Sequence, residues 1–348
     1  MQEEKFVSIF PYNGNAYLQN IAFDIKKNKG PEALIFLTLR DYLKKRNINI
    51  NTYDIPTKET PYRYVYFDLP YPWNFSAWKL ILLNRKKNIL ICNESSLIIP
   101  FNYWKILHVF FTRVYTWYDK LVDNKKYFKI LLPKSSTGVE TKPKKFEKKE
   151  FLVIINKNTL PFFPFQLLKP FGRELYSERI KSMEFFEHAI PDNFFIYGRG
   201  WNKPKRYNLT ENIFGFKKYS NYKGEVDNKI ELLSNFKYCL CFENLTDVNG
   251  YITEKIFDCL KAKCIPIYWG ANDIEKYIPR NCFIDFRDFG NYGKLLSYLN
   301  SIDEGAYNNY VENIENLLSN KKFLDTWFED QFARFFLKDI LGLKSYEN

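Results

Sequence analysis

The chain has 348 residues, 19% of them aromatic, with only 14 glycines and 16 prolines, and it carries a formal charge of +12. That length predicts two domains, and the composition excludes a disordered chain or a repeat fibre. The basic balance, with a pI near 9.1, predicts an anionic partner: nucleic acid, acidic lipid or a phosphorylated substrate.

Short apolar runs alternate with helical patterns along the first half. KFVSIF, YVYFDL and NILICN read as strands, and EALIFLTLRDYLKKR, with apolar residues at three- and four-residue steps, as a helix. No run reaches the roughly 18 uncharged apolar residues of a membrane span; the longest, 97–118, is interrupted by Lys105 and Arg113. The opening MQEEKFVSIF is acidic before it turns apolar, unlike a secretory signal. Cytoplasmic residence, at the inner face of the membrane for a lipid-linked acceptor, is therefore expected.

The stretch 134–150, KSSTGVETKPKKFEKKE, is polar and dense in lysine and reads as a linker or exposed excursion with solvated lysines. Beyond it FLVIIN, FFIYG, KYCLCF and CIPIYWG read as strands, with ELYSERIKSMEFFEHAI, KIELLSNF and ITEKIFDCLKA as helices. The alternation predicts two α/β domains with parallel sheets whose ligands sit beyond the carboxyl ends of the strands. The expected division is 1–150, 151–320 and a terminal helix over 321–348, whose aromatics at helical spacing suit packing across the two domains or a peripheral membrane contact.

Metal and triad chemistry find little material. His108 and His188 are isolated, and Cys239 and Cys241 form a C-x-C with no second pair to complete a zinc set. The six cysteines lie mostly in apolar runs, as buried free thiols of a reducing compartment do.

KYCLCF, ITEKIFDCLKA and CIPIYWG together make a βαβ unit. Its loop 243–250 feeds the amino end of the helix, where free N–H groups and the macrodipole favour an anion. Gly250 permits the tight entry, Thr253 stands to cap the helix, and Tyr251, Glu254 and Lys255 fall at i, i+3 and i+4, the spacing of one helical face. A lysine in a first turn is repelled by the dipole, so a negative group, such as a diphosphate, is expected beside it. The other reading of these residues is an ordinary surface Glu-Lys pair.

The run FENLTDVNGYITEKIFDCLKAKCIPIYWGANDIEKYIP resembles the donor-binding signature of the α1,3/α1,4-fucosyltransferases, glycosyltransferase family 10 of bacterial type. The resemblance extends through FIDFRDF downstream and FIYGRGW upstream, and so covers most of the second half. It implies a GT-B fold, two Rossmann-like domains facing across a cleft with a C-terminal helix returning over the interface. The activity implied is inverting transfer of L-fucose from GDP-β-L-fucose to a GlcNAc or glucose hydroxyl of an oligosaccharide or glycolipid. Carried onto matching positions, Asn244, Tyr251, Glu254 and Lys255 would contact the nucleotide sugar, and Arg179 would meet the phosphates, where its planar fork suits phosphate oxygens. Glu94, just past a strand end in NILICNES, matches the family's proposed catalytic glutamate and is the expected general base.

No D-x-D occurs in the chain, so Arg179, Lys255 and the helix terminus are expected to neutralise the leaving group without a protein-bound metal; manganese or magnesium would only stimulate. Leu245 departs from the serine or threonine common after FEN, which bears on the pose of the sugar. No heptad tail follows, so dimerisation through one is not expected. The acceptor would fall to loops 12–17 and 71–78, whose aromatics either stack on sugars or fill a core. Another nucleotide-sugar transferase of the same fold is the alternative. A nucleic-acid-binding protein would need basic stripes with exposed aromatics, which the core-like aromatic runs do not supply.

Overall fold

A computed structural model describes residues 4–11, 17–28, 32–57, 59–159, 167–204 and 215–343. The chain divides into two compact units, residues 1–136 with 322–348, and residues 137–321.

In unit 1, strands β1 (Lys5–Phe10), β2 (Ile48–Thr52), β3 (Arg63–Phe67), β4 (Asn88–Cys92), β5 (Arg113–Thr116) and β6 (Tyr127–Lys129) form a sheet in the order β2-β1-β3-β4-β5-β6, every pair parallel. A parallel sheet is covered on both faces, which is why these strands are near-continuous apolar runs. The helix Glu32–Lys44 buries Ile35, Phe36, Leu39 and Leu43 against them, with Phe36 edge-on to Phe67 at 5.1 Å. The terminal segment joins the same core through Phe332, Phe336, Leu337 and Ile340.

That segment is not one helix. Lys321–Trp327 and Glu329–Phe335 are separated by Phe328, and a π-helical turn follows over Phe336–Ile340. Phe328 is extended because it bridges to Lys134, whose N–H donates to Trp327 O at 2.7 Å. The segment's aromatics, which suited either packing or a membrane contact, are used in packing: Phe323, Trp327, Phe328, Phe332 and Phe336 are all buried.

The lysine-rich stretch 134–150 is likewise held in place. Ser136 N–H donates to Glu329 in unit 1 at 2.9 Å, and Val139 O accepts from Lys263 Nζ in unit 2 at 2.8 Å. Lys142, Lys144, Lys145 and Lys148 are exposed, as the solvated reading expects, whereas Lys134 and Lys149 are buried. Lys149 Nζ donates to Phe236 O and Lys263 O at 3.1 and 2.9 Å, and burial pushes its pKa down to about 8.

Unit 2 contains β7 (Glu150–Ile155), β8 (Arg173–Glu174), β9 (Phe194–Tyr197), β10 (Phe236–Phe242), β11 (Leu245–Thr246), β12 (Ile265–Trp269) and β13 (Ile284–Asp285). Five make a parallel sheet in the order β13-β12-β10-β7-β9, while β11 pairs antiparallel with β8. From β7 the chain builds outward to β9, then returns to lay β10 on the other side. This reversal is a topological switch point, and in open α/β sheets ligands bind outside the carboxyl ends of the strands there.

Candidate active site

A cavity of about 440 Å³ opens in unit 2 at that switch point. Its wall draws Ile155 from the end of β7, Asn156, Lys157 and Thr159 from beyond it, Gly198 and Arg199 from beyond β9, and Asn244 from beyond β10. Tyr176 and Arg179 come from the helix Tyr176–Ala189, and Glu254 and Lys255 from the helix Glu254–Lys261. Five cations on the wall, Lys157, Arg179, Arg199, Lys229 and Lys255, face two anions, Glu225 and Glu254. The excess of positive charge suits an anionic ligand, and the volume is that of an ordinary small-molecule site.

Close approach of β7 and β9 shapes the mouth. Gly198 sits at φ +122°, and a Cβ there would strike Asn156 O. Only glycine accommodates both constraints.

The turn after β10 is organised by Glu243, which the sequence reading overlooked. Its fully buried carboxylate accepts from Thr253 N at 2.8 Å, Thr253 Oγ at 2.6 Å and Lys255 Nζ at 3.2 Å. Thr253 in turn caps the helix, its Oγ accepting from Lys255 N at 3.4 Å, as expected. The negative partner that a first-turn lysine demands is thus built into the protein, with Glu254 a second at 3.9 Å. Burial works to lower the Lys255 pKa, but attraction to Glu243 and Glu254 outweighs it and holds the pKa above the ordinary lysine value. The ammonium is a fixed charge at neutral pH.

Because Thr253 is the cap, the helix begins at Glu254, and Tyr251 lies in the entering loop, not on a helical face with Glu254 and Lys255. Tyr251 is buried, and its hydroxyl accepts from Asn244 Nδ2 at 3.4 Å. The other end of that amide is also held: Asn244 Oδ1 accepts from Arg179 Nη2 at 3.0 Å. Arg179 is buried rather than an exposed helical arginine, with Nε and Nη2 donating to Phe242 O at 3.2 and 2.7 Å and its guanidinium 4.8 Å from the Tyr176 ring centroid. Arg179, Asn244, Glu254 and Lys255 therefore share one wall, with Tyr251 and Glu243 holding two of them in place.

Glu94 belongs to unit 1. It is half-buried just beyond β4, and Asp68, at φ +69° beyond β3, fixes its backbone. Asp68 Oδ1 accepts from Asn93 N at 2.6 Å, Glu94 N at 2.9 Å and Asn102 Nδ2 at 2.6 Å. Burial drives the Asp68 carboxyl up to about 6 against those hydrogen bonds. The Glu94 carbonyl accepts from Tyr103 Oη at 2.6 Å, so the loop is pinned from both sides. Nearby, Trp73 is 60% exposed and stacked on Tyr71 at 4.9 Å, so of the two readings of the loop's aromatics it does not fill a core. Tyr12 to Ala16, in the other expected acceptor loop, lie outside the described residues.

Two α/β units with parallel sheets are the architecture of the GT-B fold. A crystal structure of an α1,3-fucosyltransferase with GDP aligns with 98% of this chain and 91% of its own, at a TM-score of 0.56 and 18% identity. One with GDP-fucose aligns with 100% and 95%, at 0.54 and 17%. Residues 196–330 match the family model Glycosyltransferase family 10 (fucosyltransferase) C-term. The sequence is 37% identical over 120 residues to the α-(1,3)-fucosyltransferase FucT of Helicobacter pylori, a match covering 33% of this chain and 25% of that protein. The chain therefore spans about a quarter of the length of that curated relative. Residues 196–330 are thus similar to the C-terminal domain of family 10 fucosyltransferases.

Proposed function

We propose that the protein is an inverting fucosyltransferase that moves L-fucose from GDP-β-L-fucose to O3 or O4 of a GlcNAc or glucose residue in an oligosaccharide or glycolipid. The observation that carries the reading is the convergence of Arg179, Asn244, Glu254 and Lys255 on one cationic cavity at the switch point, the last three of them within the segment 196–330 that matches the family. Arg179 Nε and Nη2 are committed to the protein, which leaves the Nη1 pair for phosphate oxygens. Lys255 adds a fixed charge, and the two stabilise the departing GDP. Glu254 is a wall carboxylate that would accept from sugar hydroxyls, and Asn244 is an oriented amide.

Glu94 takes the proton of the acceptor hydroxyl as the C1–O bond to GDP breaks and the new glycosidic bond forms on the opposite face. Trp73 offers an acceptor sugar a flat exposed face. The reading assigns no protein ligand to a divalent cation, so stimulation by manganese or magnesium would act through the nucleotide's own oxygens. All six cysteines are buried free thiols, which supports a reducing, cytoplasmic compartment.

Calorimetric titration with GDP, followed by GDP release from GDP-fucose across a panel of lactose, N-acetyllactosamine and type 1 chains, tests the reading. Binding that is lost in Lys255→Ala, with release that depends on one acceptor, is expected. A folded protein that gives no heat with GDP overturns it.

A further inference from the structure

Unit 1 carries a second apolar stripe on its outside. In the helix Phe75–Leu83 the inward residues Ala77 and Ile81 are buried. Phe75, Leu82 and Leu83, at i, i+7 and i+8, face away from them and are 80%, 46% and 71% exposed. A surface helix ordinarily turns a polar face to water; this one is apolar on both sides. The next crossover, the 3-10 segment Lys105–Phe110, adds Ile106 and Val109 at 75% and 61% exposed.

The two segments lie side by side. β3, β4 and β5 are successive neighbours in the sheet, so right-handed crossovers between them fall on the same face. Asn88 Nδ2 ties the segments directly, donating to Ile81 O at 2.7 Å and Phe110 O at 3.1 Å. The Arg85 guanidinium lies 5.5 Å from the centroid of the Phe110 ring.

Charge over this region has one sign. Residues 70–118 contain six lysines and arginines and a single acid, Glu94, which lies past the carboxyl end of β4. Lys79, Arg85, Lys86 and Lys105 are exposed, and Lys79 stands one turn from both Phe75 and Leu83. Nucleic acid would engage the cations but leave Phe75, Leu83 and Ile106 in water. A bilayer with anionic headgroups satisfies both: apolar side chains enter the acyl boundary while the cations stay at the phosphates.

We propose that this face, the helix Phe75–Leu83 with the segment Lys105–Phe110, docks the protein peripherally on an anionic membrane surface. Among the described residues no helix is long and apolar enough to cross a membrane, so the contact is interfacial. The inference stands apart from the fucosyl-transfer reading, since binding to lipid is measured without donor or acceptor.

Flotation of the full chain with vesicles of phosphatidylcholine alone, and with phosphatidylglycerol added, tests it. The protein floats with the anionic vesicles, not with the neutral ones, and high salt releases it. The triple variant F75S/L83S/I106S and the charge variant K79E/K105E each lose roughly tenfold of the bound fraction at equal lipid. Their melting curves stay at the wild-type position, because the altered side chains are exposed. The variant L167S, at an exposed leucine of unit 2, floats like the wild type. Absence of flotation by the wild type, or flotation unchanged in both unit 1 variants, overturns the proposal. So does concentration-dependent dimerisation abolished by the triple variant with no lipid binding, which would assign the face to a second copy.

Discussion

Replacing Glu243 tests how the turn after β10 is held. Glu243→Ala removes one acceptor for three donors and strands the Lys255 ammonium, whose side chain is only 21% exposed. Breaking a buried ion pair by deleting one partner costs ~3–5 kcal/mol. Glu254, 42% exposed and 3.9 Å away, remains as a weaker partner and places the effect at the lower end. For a unit of this size 1 kcal/mol moves the melting temperature by about 2–4 °C, so a loss of ~3 kcal/mol lowers Tm by roughly 6–12 °C. Glu243→Gln retains an oxygen for Thr253 N–H but not the charge, and falls between alanine and wild type. Differential scanning calorimetry of the three proteins at neutral pH reads the order directly. An alanine variant melting within about 2 °C of the wild type would refute the claim that Glu243 holds the turn.

Three further outcomes follow from the same geometry. Glu94→Gln keeps the backbone bonds to Asp68 and loses the base, so turnover falls by roughly 10²–10⁴-fold while GDP heat is unchanged; near-normal turnover would dismiss Glu94 as the base. In Gly270→Ala the added Cβ would lie 2.5 Å from Glu243 Cγ and closer still to the Tyr268 hydroxyl. That overpacking costs ~1–3 kcal/mol and shows as a lowered urea midpoint; an unchanged midpoint would mean the turn is slack. Asp68 titrates at about 6 in the folded chain against an ordinary 3.8. A raised carboxyl pKa means the proton binds the folded state more tightly, so its contribution, ~3 kcal/mol, is complete below about pH 4 and is lost as pH rises through about 6. Asp68→Asn keeps an acceptor and does not titrate, so wild-type stability relative to the variant rises as pH falls from about 6 to about 4; a flat difference would contradict the assignment.

Strands β1, β3, β4, β7, β9, β10 and β12 and the helix Glu254–Lys261 were legible because their physics is local. Buried parallel strands write themselves as apolar runs, and a threonine before an apolar-periodic segment announces its start. That same cap decides where Tyr251 falls. Reading i, i+3 and i+4 as one face assumed a helix already begun at 251, whereas the Thr253 cap begins it at Glu254. The terminal segment is similar: its aromatic spacing is helical throughout, but Phe328 gives up helical geometry for a bridge to Lys134, about 190 residues away in sequence, a pairing no local period encodes.

Charged residues were the illegible part, and for one reason. Glu243, Asp68 and Lys149 each look like loop or surface residues by composition, since such groups are rarely buried unless partnered. Their partners lie 10 to 12 residues on for Glu243, 25 to 34 for Asp68 and 87 to 114 for Lys149. A signal was present for the first: an acid at the end of the apolar run KYCLCF, with a first-turn lysine downstream that required a counter-charge. Assigning that counter-charge to a ligand alone skipped the cheaper solution, an internal carboxylate that fixes the lysine before any ligand arrives. An anion entering the cavity then meets a charge already oriented and loses little entropy in ordering it, so the buried Glu243 supports the diphosphate reading of Lys255 instead of competing with it.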